Sequence, residues 1–561
     1  MITQDAQYFA KRFIALKKRR SSYLDTWREV SDHMLPRRSR FLVTDARNPG
    51  SQRNNKILNE SPTRSLEVLA AGMVTGITSP SRPWFKLTLA EKEIEAEPEV
   101  KEWMYEVERR VYDVFARSNI YNCLAEDYRD ISAFGTTALL IEEDDVEVIR
   151  GYVQPIGSYC IDVNASGKVE VFYREFLMTV EQVVSLFGHD ACSSSTKSLY
   201  DRGDYAETIT VVHAVERNRN LRVDRDDSDG MPFVSVWYED QNHENRFLRR
   251  SGYRQFPVMA PRWTVTGEDV YGSSCPGVNA LPACKMLMQI ERRAGQIIDK
   301  TTSPTLMIPA ELRNQAGGAD VRLAGGVMYV SQIGAKAEPV YVPPWEAYRQ
   351  LSEYRAIVER RIGAMFYADL FAMFAQMDNT MTAREVEERH EEKMLQLGPL
   401  LEQVHAELLR PLIERTITIM LNRGLLPPIP ESLEGREILP KFISILAQAQ
   451  QLASVLQIER LYRFVGEMAG VVGPQVLDKC DWEGTLEEYA RTLGVPPVVL
   501  RSEEEMQEIV AQRQQAAQMQ QAAEMAKVAR DTAAAGKDAA ATEVAPNNPY
   551  GDLMRRIGAM Q

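Results

Sequence analysis

The stretch MDNTMTAREVEERHEEKM, Met377 to Met394, decides how this chain is read. It contains His390-Glu391, the opening of a zinc-protease helix. It also begins with Asp, Asn and Thr, which favour loops and helix starts. A zinc helix of the H-E-x-x-H type needs a second His one turn on, so that both imidazoles face one metal. Met394 holds that position, and a thioether does not replace imidazole at a hydrolytic zinc. The other five His, at 33, 189, 213, 243 and 405, are scattered. The stretch is therefore a structural boundary. Thr382 and Glu385 form a T-x-x-E capping box, each side chain satisfying the other's backbone N–H. A short polar loop precedes the box. A helix follows to about Arg423, where Gly424 and then Pro427-Pro428 end it. Its apolar ladder is Met394, Leu397, Leu401, Val404, Leu408 and Leu412. Some forty residues at 1.5 Å rise make a rod of about 60 Å. Pro399 and Pro411 interrupt it, and each is expected to kink it. A rod this long needs neighbours along its length, from its own chain or from other subunits.

Composition narrows the function classes. A chain of 561 residues forms several domains or layers. Cys123, Cys160, Cys192, Cys275, Cys284 and Cys480 are spread singly, so no zinc ribbon or C-x-x-C redox motif is present. That usage suits a reducing compartment. The N-terminus, MITQDAQYFAKRF, has no apolar core of a secretory signal. The longest apolar run, near LEVLAAGMVTGI, is too short to span a membrane as a helix and carries Glu67. The net charge of −13 disfavours tight nucleic-acid binding, which grows with each cation that displaces counterions. It leaves room for a protein that touches DNA without holding it.

Along the chain, residues 3 to about 35 read as a helix with Phe9, Phe13, Leu16 and Trp27 on one face. Its basic run Lys17–Arg20 is expected to be a solvated face. Residues 62–77 and 97–130 read as further helices, the latter buried through Trp103, Val107, Val111, Val114 and Phe115. Between 135 and 265, β-branched and aromatic runs separated by turn residues predict strands, with one helix near Val180–Phe187. SSSTKSLYDRGDYAE (193–207) and DRDDSDG (224–230) read as exposed loops. The second lacks the Glu of a calcium loop, since Ser235 stands in its place. From Pro276 a helix bears Leu287, Ile290, Ala294 and Ile297 or Ile298 on one face. Lys285, Gln289, Arg292, Gln296 and Lys300 follow at helical steps on another. That stripe is either a solvated or subunit-facing surface, or a sparse ladder of phosphate contacts. Residues 303–343 read as a small irregular or β segment, whose glycines lack the G-K-[ST] of a phosphate loop. Pro344 starts another helix. After Pro440 three helical segments are expected, at 443–469, 473–479 and 483–494. A final Ala/Gln-rich helix is expected from the Ser502–Glu505 capping box, and the tail beyond it is expected to be flexible. The fold class is α+β, mainly α.

The block from Met381 to Pro430, MTAREVEERHEEKMLQLGPLLEQVHAELLRPLIERTITIMLNRGLLPPIP, resembles the long helix of portal proteins, the head-to-tail connectors of short-tailed bacteriophages. LAAGMVTGITSPSRPWFKL resembles that family's N-terminal segment. VYGSSCPGVNALPACKMLMQIERRAGQIIDKTTSPTLMIP resembles its first stem helix. FISILAQAQQLASV and LGVPPVVLRSEEEMQEIVAQRQQ resemble its C-terminal part. The matches run from about residue 5 to 525, in the family's order. The C-terminal Ala/Gln helix and tail depart from it.

The resemblance implies a ring of identical subunits, usually twelve, around a channel for double-stranded DNA at one capsid vertex. The ring would be assembled in the host cytoplasm with major capsid and scaffolding proteins and kept in the virion. It would dock the packaging terminase while DNA enters, then tail adaptor proteins, and it would use no membrane and no cofactor. By matching segments, the wing is 1–274, the first stem helix 275–302, the clip 303–343 and the second stem helix 344–372. The tunnel loop is 373–382, the long kinked helix 383–424, the helical crown 425–500 and the C-terminal helix and tail 501–561. Gln376, Asp378, Asn379, Thr380 and Arg384 would then form the channel constriction. The Lys285–Lys300 stripe would face the lumen. No catalytic or metal-binding residue is expected. Two other readings are a metal-dependent nuclease or hydrolase using scattered Asp, Glu and His243 or His390, and a helical scaffold without a DNA channel. The missing H-E-x-x-H, P-loop and nucleophile motifs weigh against the first.

Overall fold

A computed structural model describes residues 5–36, 56–89, 97–222, 228–240, 246–304, 306–309, 327–330, 338–339, 342–368, 401–433 and 438–443, with a few single positions and short runs besides. It is mainly helical with several small sheets, in agreement with the α+β expectation. The chain divides into two compact units. One comprises Met1–Ala96 and Trp103–Gln457, the other Glu97–Glu102 and Ile458–Gln561. In the second unit residues 461–465, 467 and 525–531 are helical, and the Tyr462 hydroxyl bonds Thr485.

The first unit begins with α1 (Ala6–Met34), capped by Asp5, whose carboxylate accepts Tyr8 N–H at 2.8 Å. Phe9, Phe13 and Leu16 recur at steps of four and three and so share one face. They pack on Cys160, Tyr173, Val212, Val234 and Tyr238. These belong to an antiparallel sheet ordered β4-β5-β6-β7-β8: Tyr159–Val163, Val169–Thr179, Thr208–Arg217, Phe233–Glu239 and Arg249–Tyr253. The other face is covered by Val183 and Cys192 around helix Val180–Phe187, which has a full capping box between Thr179 and Gln182.

Two expectations fail here. The basic run of α1 is only in part a solvated face, with Lys18 and Arg19 exposed. Arg20 is buried and donates to Tyr159 carbonyl at 2.6 Å, Lys17 meets Glu175 at 2.5 Å and Arg19 meets Asp162 at 2.6 Å. The sheet supplies acceptors that local sequence does not show. The Ser-rich stretch after Ala191 contains a helix, Ser194–Asp201, because Ser193 caps it and is itself held by Glu239.

Helix α2 spans Ser61–Ile77, with Pro62 in its first turn. The single helix expected over 97–130 is two, α3 (Pro98–Arg117) and α4 (Ile120–Phe134). Asn119 breaks them apart. Its carboxamide exchanges two hydrogen bonds with the backbone of Gly151 in β3 (Val148–Val153), at 2.8 and 2.9 Å. The expected stripe from Trp103 to Phe115 is buried.

Strand β1 (Phe85–Leu89) pairs antiparallel with β13 (Ile438–Phe442) across some 350 residues. The region from 425 is therefore not uniformly helical, and Pro440, the boundary before the expected helical segments, sits within β13 opposite Leu87. A two-stranded ribbon has two edges, where a residue without N–H is tolerated. The outer edge of β1 is satisfied by α3. Tyr112 Oη accepts from Trp84 and Phe85 N–H, and Glu108 accepts from Leu87 N–H at 2.5 Å.

The end of α4 meets the start of α7, Pro276–Thr302 (the helices at 180–187 and 194–201 being α5 and α6). Gly135 caps α4 with φ +79°, and its carbonyl accepts Trp263 N–H at 2.8 Å. A Cβ at Gly277 would lie 2.2 Å from the Ala133 carbonyl oxygen, so only glycine permits this approach. Beyond α7, β10 (Leu306–Pro309) pairs with β11 (Val327–Val330) and β12 (Glu338–Pro339), then α8 spans Trp345–Met365.

The long helix is described from residue 401, and its first half, with Met394, Leu397 and Pro399, lies outside the described residues. Val404, Leu408 and Leu412 are buried as expected. At Pro411 the disruption takes the form of a π turn, His405–Leu409, before α9 (Arg410–Asn422). Pro411 has no N–H for the Glu407 carbonyl, and its ring crowds it. Widening the turn lets Arg410 N–H reach the His405 carbonyl instead. Gly424, at φ +64°, follows the helix end. Arg415 anchors α9 on β2 (Leu139–Asp144) by donating to Ile141 carbonyl at 3.1 Å.

Candidate functional site

The helix pair α7–α8 changes character along its length. On α7 the buried residues, Pro276 through Ile290, stop before Arg292. On α8 only Val358 and Ile362 are buried, both near its C-terminal end. Trp345, at the other end, is 68% exposed and stacks on Tyr348 at 4.8 Å. The apolar face predicted for α7 holds at Leu287 and Ile290 and then opens. Ala294 and Ile297 are half-buried and Ile298 is exposed. One part of the pair is thus rooted in the unit, and the other stands clear of it.

The predicted stripe straddles that boundary. Gln289, Arg292, Gln296 and Lys300 are exposed. Lys285 is not available in the same way, since its ammonium pairs with Glu29 of α1 at 2.6 Å. Arg292, Arg293 and Lys300 have no ion pair among the described residues. On the facing helix Arg349 pairs with Glu346 at 2.6 Å and Arg355 with Glu291 at 3.5 Å. Eight residues separate Arg292 from Lys300, about 12 Å of helix rise. The two cations are spaced too widely to grip one phosphate together.

Gln376, Asp378, Asn379, Thr380 and Arg384, and the capping pair Thr382 and Glu385, lie outside the described residues. His243 and His390 lie outside them as well. Among the described residues no group of three His, Cys, Asp or Glu side chains is placed to hold a metal, and no helix is long and apolar enough to cross a membrane. The buried titratable groups are structural. His213 stacks on Trp237 at 4.1 Å, shares hydrogen bonds with Ser235 and Arg174, and is held well below the usual imidazole pKa by burial. Burial also lowers His405, which stacks on Phe442 at 4.2 Å.

Sequence reasoning missed two long-range groups, one bracing the π turn and one bonding both helices of the pair. Arg262 is buried against Glu407 of the π turn and also donates to Gly167 carbonyl at 2.8 Å. Asn59, just before α2, bonds Glu291 and Glu359. Their partners lie 145, 232 and 300 residues away, which no local spacing reveals.

The chain is 40% identical over 496 residues to the "Probable portal protein" of Bordetella phage BPP-1, covering 87% of each chain. It is 36% identical over 516 residues to the "Portal protein" of Salmonella phage epsilon15, covering 91% of this chain and 92% of that one. The neck of an empty GTA particle, solved with C6 symmetry, covers 74% of this chain and 90% of its own, at 14% identity and a TM-score of 0.34. The family model for the bacteriophage head to tail connecting protein matches residues 6–500. The chain belongs to the bacteriophage head-to-tail connecting protein family, among relatives named as portal proteins.

Proposed function

We propose that copies of this chain, twelve by the family's usual count, close into a ring at the portal vertex of a phage capsid. Double-stranded DNA passes through the ring during packaging and ejection. The packaging terminase and later the tail dock on it, and no catalytic step falls to this chain. In this reading residues 1–274 are the wing, α7 and α8 the stem, 303–343 the clip, 373–382 the tunnel loop and the residues beyond 425 the crown, apart from the β13 ribbon.

The observation that carries the reading is the exposed part of α7. Arg292, Gln296 and Lys300 continue the line of Gln289 along an unburied part of the helix, and neither cation has an ion pair among the described residues. A strongly cationic wall would bind DNA by counterion release and stall it, whereas sparse cations on an acidic body guide it without holding it. Lys285, tied to Glu29, belongs to the wall rather than to the guide. Gln376, Asp378, Asn379, Thr380 and Arg384 are assigned to the narrowest point from the family's order of segments.

Charge reversal at Arg292 and Lys300 tests the stripe. Arg292→Glu with Lys300→Glu should leave assembly intact and lower the yield of DNA-filled particles by about tenfold or more, in line with the loss of phosphate contacts. Replacing Asn379 and Thr380 by Gly should likewise spare assembly and impair filling or retention. Reversal that dissolves the assembly would instead place the stripe between subunits.

A further inference from the structure

The segment entering α2 is a strap. Lys56 pairs with Asp32 of α1 at 2.6 Å. Leu58 N–H donates to Met288 Sδ of α7 at 3.1 Å. Asn59 then lies at a three-way crossing. Its Nδ2 donates to Glu291 Oε1 on α7 at 2.7 Å and to Glu359 Oε1 on α8 at 2.8 Å. Its Oδ1 accepts Ser61 N–H, the first of α2, at 2.9 Å. Arg355 joins the group, 3.5 Å from Glu291 and 3.9 Å from Glu359.

The chemistry fixes which way the carboxamide faces. Two neighbours are carboxylates, which only accept, and one is an N–H, which only donates. A side chain here must donate twice and accept once from a single methylene, and Asn does so. The place of the crossing matters equally. Glu291 follows Ile290, the last buried residue of α7, and Glu359 adjoins Val358, the first buried residue of α8. Asn59 therefore grips both helices where they leave the core.

We propose that Asn59 is a positioning residue, clamping α7 to α8 at the root of the pair and so setting where the stripe from Gln289 to Lys300 points. The proposal rests on the reading of these helices as the DNA-lining stem. Without the two donated bonds, Glu291 and Glu359 share only the Arg355 guanidinium. Like charges facing each other at the root then loosen the pair.

Asn59→Asp tests this in the assembled full-length protein. It keeps the size and the bond to Ser61, but turns two attractions into two repulsions. The cluster gains a third carboxylate against one guanidinium. Adding Glu291→Gln restores the original charge count. In hydrogen exchange without DNA, N59D should accelerate the amides of Arg292–Thr302 and Trp345–Ile357 by about tenfold, leaving β5 to β7 unchanged. N59D with E291Q should recover most of that protection. Asn59→Ala, which only removes bonds, should give a smaller acceleration in the same segments. DNA filling should fall with N59D and return in the double variant. Unchanged exchange overturns the clamp, as does loss that spreads to β5–β7 or resists the second substitution. Altered exchange with normal filling overturns the link to DNA passage. Exchange reads the clamp without DNA, so failure of the channel reading itself would be seen separately.

Discussion

The five-stranded sheet with α1 and the exposed part of α7–α8 are opposites in how they treat charge. In the first, the inward-facing cations have partners. Arg12 meets Glu216 at 2.9 Å, Glu216 accepts from Tyr173, and Arg174 lies over Trp237 and against His213. In the second, Arg292, Arg293 and Lys300 stand exposed without an ion pair among the described residues. Buried charge must be paired, because an unpaired one costs several kcal/mol, so pairing there speaks of structure. Exposed, unmatched cations cost little and are free for a ligand, here with the exposed Asp299 beside them. Lys285 marks the border, sharing the spacing of the stripe but the pairing of the core.

The comparison can be broken at three depths. Arg262→Ala should have the largest effect on stability. It leaves Glu407 partly buried without its cation and strips a bond from Gly167, which should cost about 3–5 kcal/mol in denaturant unfolding. An effect below about 1 kcal/mol would mean that solvent screens the pair.

Glu108 gives an intermediate effect with a pH signature. Burial beneath β1 raises its pKa to about 7, against the opposing pull of Leu87 N–H and Lys86. Its folded-state pKa lies above the unfolded value of about 4.3, so the fold favours the proton. Stability is therefore lost as pH rises between about 4.3 and 7, and the loss is complete above 7. Glu108→Gln keeps the acceptor for Leu87 and removes the charge. It should stabilise the protein by about 2–3 kcal/mol at pH 8 and little at pH 4. Equal effects at both pH values would contradict the assignment. His213 works in the other direction. Its pKa is depressed, so its contribution is present above about 6.5 and lost as pH falls below it.

Lys285→Ala should have the smallest effect, about 0–1 kcal/mol, because the pair with Glu29 is half exposed and screened. It should also leave DNA filling nearly unchanged, unlike Arg292 and Lys300. A filling defect as large as theirs would return Lys285 to the guide.

Much of the fold was legible where one element contains its own cause. The step of Phe9, Phe13 and Leu16 marks α1, Pro276 starts α7 and Gly424 stops α9. What escaped depends on distant partners. The β1–β13 ribbon joins residues 85–89 to 438–442, so each strand's partner lies some 350 residues away. The burial of Arg20 depends on Tyr159, and helix α6 on Glu239. Of the candidate site, the stripe could be placed on α7 from its spacing alone, but its limits could not. Lys285 differs from Arg292 only through Glu29, a residue of another helix. The constriction set, Gln376 to Arg384, was named from the family's order and lies outside the described residues.

The most direct measurement is class-averaged imaging of the purified full-length chain, with its mass in solution. A pierced ring of identical subunits, with an opening wide enough for duplex DNA, is the predicted result. A monomer, or a closed assembly without a central opening, would contradict the account.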